Sequence, residues 1–102
     1  MTSEVWIGLA EVRKIRDNEM LLDRHEAIVN ALALARDEGQ FDIQVRSALE
    51  RLGFVLVSLE DVEPLAARTR EFEVDSSLLR LGDEVRETGE VRFGTFHTWQ
   101  SS

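Results

Sequence analysis

Two side chains in this sequence titrate near neutral pH, His25 and His97, so general acid or base chemistry would fall on them first. His97 lies in a C-terminal run, residues 90 to 99, that also holds Phe93, Phe96 and Trp99. A histidine base needs a positioned carboxylate and a pocket. Glu11 or Glu90 could serve His97 in a cleft over a sheet, which would make the chain a small ferredoxin-like enzyme or ligand-binding domain. The plainer reading has the stronger claim. His25, in Asp23-Arg24-His25-Glu26, has the surroundings of a turn residue, and His97, two positions from Thr95 and from Trp99, those of a packing residue.

Other chemistries lack their residues. There is no cysteine, hence no disulfide, thiolate metal site or thiol nucleophile. The serines stand in neither a Gly-x-Ser-x-Gly nor a Ser-x-x-Lys context. Gly8, Gly39, Gly53, Gly82, Gly89 and Gly94 are too scattered to form a phosphate-binding loop. Glu60, Asp61 and Glu63, with Glu71, Glu73 and Asp75, offer oxygens to a hard cation but lack the spacing and glycine of a calcium loop. No cofactor and no metal are expected.

Charge narrows the partners. The net charge is −8, and ten of the twenty acids lie in residues 59 to 91 against four arginines. That field repels phosphate backbones and acidic membranes and attracts basic proteins. The basic residues Arg13, Lys14, Arg16 and Arg24 are flanked by acids without interleaved aromatics, so they read as a hairpin rim. No apolar run approaches the roughly 20 residues of a membrane helix, and the N-terminus has no signal-peptide pattern. The expectation is a cytoplasmic protein without nucleic-acid or membrane partners.

The elements that would position these residues can be read from periodicity. Residues 5 to 12 alternate with apolar side chains on both faces, as in a strand covered on both sides. Residues 26 to 35 fit either a helix or a strand with one bulky and one small face. Strand is preferred because Asp37 and Gln40 are spaced as a capping box that starts a helix immediately afterwards. Along that helix Phe41, Val45, Ala48, Leu49 and Leu52 share a face, and Gly53 sits at its C-terminal end. Residues 54 to 59 read as a central strand buried on both faces, Pro64 opens a short helix, and Asp75 or Ser76 caps a longer one ending at Gly89. Residues 90 to 99 form the last strand.

The implied fold class is α+β: one domain spanning residues 1 to 102, built as an open sheet of about four strands in β-β-α-β-α-β order. Two main helices pack on one face, a distantly ferredoxin-like plan. The expected core includes Ile7, Leu9, Ile28, Leu32, Phe41, Val45, Leu49, Leu52, Leu56, Leu78, Leu81, Val85 and Phe93. A chain end normally frays, so aromatics concentrated there imply attachment to the fold or to a partner. The expected function is therefore a non-enzymatic protein–protein interaction module. It would be a homodimer or an acidic binder of a basic partner, at its most specific resembling a toxin-neutralising immunity protein. The candidate interaction surface comprises Trp6, Phe96, His97 and Trp99 with the acids Glu60, Asp61 and Glu63.

Overall fold

The small side chains of residues 27 to 35 decide how this chain folds. In a computed structural model, which describes residues 3 to 14 and 26 to 98, residues 26 to 35 are a strand. Ala27, Val29, Ala31, Ala33 and Ala35 stand on one face of it and Ile28, Asn30, Leu32 and Leu34 on the other. This strand, β2 (Glu26–Ala35), pairs antiparallel with β1 (Glu4–Lys14), with Ile7 opposite Leu32 and Ala10 opposite Val29. The chain continues through α1 (Glu38–Arg51), β3 (Phe54–Pro64), α2 (Leu65–Glu71) and α3 (Ser76–Thr88) to the short strands β4 (Arg92–Phe93) and β5 (His97–Thr98).

The sheet order is β3-β1-β2-β4, with β5 also on β2 and every neighbouring pair antiparallel. An open antiparallel sheet with helices is the α+β class that the sequence implies. Because β2 and β3 both run antiparallel to β1, they run parallel to each other with β1 between them. The β2-α1-β3 connection is therefore a crossover that skips one strand.

The helices depart from the expected plan: they cover both faces of the sheet, not one. Phe41, Val45 and Leu49 of α1 are fully buried in a cluster with Ala10, Val12 and the small face of β2. Leu65 of α2 and Val85 of α3 belong to a second cluster, with Val5, Ile7 and Leu32 on the opposite face. The cause is the two-sided apolarity of β1 and β2, since each apolar face has to be removed from water. Leu9 and Ile28 were expected in the core but are only half-buried, because α2 and α3 pack against the other end of their face. Leu78, Leu81 and Phe93 are likewise half-buried at the margins of the two clusters, and Leu52 is exposed.

The last strand also differs from expectation. It is broken into β4 and β5, and the Gly94 N–H donates to the Asn30 carbonyl at 2.9 Å between them. In one continuous strand Phe93 and Phe96 would point to opposite faces. The break lets both join the cluster under α1. β3 is an edge strand and not the expected central one, with Val55 and Val57 exposed on one face. It runs on to Pro64, longer than expected, with irregular pairing to β1 in two places and Asp61 at a φ of 53°. Pro64 caps α2 instead of occupying its first helical position.

Helix ends follow local chemistry. The Asp37 carboxylate accepts from the Gln40 N–H at 2.8 Å, and the Gln40 side chain accepts from the Arg36 N–H at 2.7 Å, one residue earlier than a standard capping box. Asp75 caps α3 by accepting from the N–H and the hydroxyl of Ser77, which holds its carboxyl below the usual carboxylate range. Gly89 ends α3 with a φ of 74°, in the left-handed region that glycine enters without strain.

The seat of α1 depends on Gly8. A Cβ there would lie 2.9 Å from Phe41 Cε2 and 3.0 Å from Val62 Cγ2, distances that force the ring or the β-branched side chain to move. Gly8→Ala should therefore lower the unfolding midpoint, with a steric cost of about 1 to 3 kcal/mol exceeding the ~0.4–1 kcal/mol of backbone entropy that alanine returns. Gly39→Ala, on the first turn of α1 where a Cβ would meet Asp37 Oδ1 at an ordinary contact distance of 3.5 Å, should raise the midpoint. Leu49→Ala should cost about 2 to 5 kcal/mol. A thermal or urea unfolding series checks all three.

Candidate functional site

Among the described residues a single helix covers the strands on the α1 side of the sheet, and the region beyond it, toward β4, stays open. This is a cleft of about 850 Å³ between the flank of α1 and residues 89 to 96. One wall comes from Ile43, Gln44, Ser47, Ala48, Arg51 and Leu52, the other from the segment leading into and out of β4. The Gln44 amide donates to the Leu34 carbonyl, which ties this flank of α1 to β2.

The floor is aromatic and fixed. Phe96 stacks on Phe54 with ring centroids 5.4 Å apart and an interplanar angle of 25°, and Phe93 meets Phe96 at 6.1 Å and 44°. Such pairs contribute about 0.5 to 1.5 kcal/mol beyond the area they bury. Above this floor Ile43 is 68% exposed and Leu52 41%. Leu52 is the C-cap of α1, where the chain leaves the helix, and this takes it off the buried stripe. Ile43 lies off that stripe too, among Asp42, Gln44 and Arg46. An isoleucine on the polar side of an amphipathic helix was the signal in the sequence for this wall.

Two guanidinium groups line the same cleft. Arg92 reaches Glu90 at 3.4 Å, while its Nε is buried with no hydrogen-bond partner among the described residues. Arg51, in the last turn of α1, enters no ion pair among the described residues. Glu90 is the one carboxylate among the residues lining the cleft. The cleft thus carries local positive charge on a protein whose net charge is −8.

Of the residues singled out in the sequence, Phe96 lies in the cleft. Trp6 stands on β1 opposite Ala33 and Pro64, half-buried, with its indole N–H buried and without a hydrogen-bond partner among the described residues. The backbone of His97 pairs with Ile28, and Trp99 and His25 fall outside the described residues. Glu60, Asp61 and Glu63 are on β3, at the opposite edge of the sheet from β4, so these acids and Phe96 form two separate surfaces, while Trp6 on β1 neighbours β3. Glu63 is ion-paired with Arg68 at 2.9 Å, and Arg68 also donates to the Asp61 carbonyl, so the trio is not three free carboxylates.

The carboxylates considered for His97 are placed as follows. Glu11 and His97 both lie opposite Ile28, from different sides, which sets their backbones about 10 Å apart at ~4.8 Å per strand. Glu90 lies in the segment leading into β4, 3.4 Å from Arg92. Among the described residues no group of three His, Cys, Asp or Glu side chains is placed to hold a metal ion, and no helix is long and apolar enough to cross a membrane. Comparison with protein-family models, with curated proteins and with solved structures gives no match.

Phe96→Ala should loosen the floor of the cleft. Because Phe96 is half-buried, the loss should fall below the ~3–5 kcal/mol of a fully buried phenylalanine and above the ~0.5 kcal/mol of a single aromatic pair. Equilibrium urea unfolding measures it.

Proposed function

We propose that this protein is a non-catalytic interaction module that captures a segment of a partner protein in the cleft between α1 and the C-terminal strands. The supporting observation is the pairing of exposed aliphatic side chains, Ile43 and Leu52, with a rigid aromatic floor, Phe93 and Phe96, in one concave surface. Scattered exposed aliphatics are ordinary, but aliphatics gathered over aromatics in a cleft form an anchor pocket of the kind that dominates interface energies.

The acidic edge supports a weaker form of the same function. Glu60 and Asp61 remain exposed on β3 and would draw in a basic partner at long range. With Glu63 neutralised by Arg68, that edge offers steering and few specific contacts. The partner's anchor therefore belongs at the cleft.

Ile43→Asp should leave stability within about 0.5 kcal/mol, as for an exposed position, and should abolish capture. A photo-crosslinking residue at Ser47 should give one discrete adduct in cell extract, identified by mass spectrometry and absent when Ile43→Asp is also present. An adduct formed from position 60 and not from position 47 would move the interface to the acidic edge.

A further inference from the structure

The cleft carries a charge signature that its apolar walls do not explain. The Arg92 side chain lines the cleft and is 34% exposed, while its Nε is itself covered and has no hydrogen-bond partner among the described residues, so its terminal N–H groups are the ones a bound group would meet. Glu90, at 3.4 Å from Arg92, is beyond the 2.7–2.9 Å of a strong charge-assisted contact. Arg51 brings a second guanidinium to the same surface without an ion pair among the described residues. On a chain with an excess of eight acids, two arginines against one glutamate in the concave apolar site amount to a local reversal of sign.

Guanidinium groups match planar oxyanions through paired N–H donors, and partial desolvation in a cleft strengthens the contact. Apolar walls beside these donors select a group that is apolar along most of its length and anionic at one point. We infer that the cleft takes an apolar peptide segment bearing a carboxylate, with Arg92 and Arg51 recognising the carboxylate and Ile43, Leu52, Phe93 and Phe96 receiving the apolar side chains. This rests on the docking reading above and adds the sign of the partner. The whole-chain charge favours a basic partner, whereas the cleft selects an acidic group within the captured segment.

The probe is a short fluorescent peptide of alternating leucine and serine ending in a free glutamate, compared by anisotropy with a counterpart ending in an amidated glutamine. The wild-type protein should bind the acidic peptide at least roughly tenfold more tightly, as expected when charge-assisted bonds of ~1.5–3 kcal/mol are lost. The difference should shrink with added salt. Arg92→Gln should reduce the preference while leaving residual apolar binding. Arg51→Gln, on the exposed last turn of α1, makes the same test without touching a buried group, and circular dichroism verifies that each variant is folded. Equal binding of the two peptides, or a preference that survives both arginine substitutions, overturns the carboxylate assignment and leaves docking intact. Failure of both peptides to bind, or binding indifferent to Ile43→Asp, overturns the docking reading as well. Binding of decanoate with the same arginine dependence, in the absence of peptide binding, would make the occupant a small amphipathic acid and overturn the peptide assignment.

Discussion

The contact of the Phe41 ring with the backbone at Gly8 governs the rest of the structure. Phe41 can lie against β1 because no Cβ intervenes, and the alanines of β2 extend the same low surface beneath Val45 and Leu49. A helix that sinks this far onto the sheet fills its own half of that face densely. It also leaves the strip over β4 to shorter contacts from Phe93 and Phe96. The cleft is a consequence of where α1 sits, and the break at Gly94 completes it by turning both aromatics inward. Close packing on the small face and an open groove beside it thus have one origin in the distribution of glycine and alanine.

Much of this was legible in the sequence, and the reasons are local. The Asp37 and Gln40 spacing and the glycines at positions 53 and 89 marked helix boundaries through capping chemistry that needs no tertiary information. The bulky and small faces of residues 26 to 35 were visible as alternation. What the sequence withheld depends on the third dimension. Two-sided apolarity in β1 and β2 was visible, yet the assignment of α1 to one face and of α2 and α3 to the other emerges only from the crossover that skips β1. The same holds for Gly82. It reads as a weak point in a helix, but a Cβ there would approach Leu65 Cδ2 to 2.7 Å, so its value lies in a helix-to-helix approach.

The candidate site was half legible. The aromatic run from Phe93 to Trp99 brought Phe96 to notice, and the structure places Phe96 among the residues lining the cleft. The acids Glu60, Asp61 and Glu63 were expected on one interaction surface with Phe96, while the strand order separates them from β4 by β1 and β2. Arg51 and Arg92 drew no notice in a chain with many arginines. Their meaning comes from sharing a concave surface with one carboxylate between them. Net charge describes the long-range field of the molecule, and the cleft differs in sign because local placement, not composition, sets what a bound group meets.

The central claim, that α1 is sunk on one side and bare on the other, is open to one direct measurement. In protein with labelled Ile, Leu and Val methyl groups, relaxation by a soluble paramagnetic agent reports how closely solvent approaches each methyl. The account predicts strong relaxation at Ile43 and Leu52 and none at Val45 and Leu49 of the same helix. Protection of Ile43 equal to that of Leu49, in monomeric protein, would contradict it.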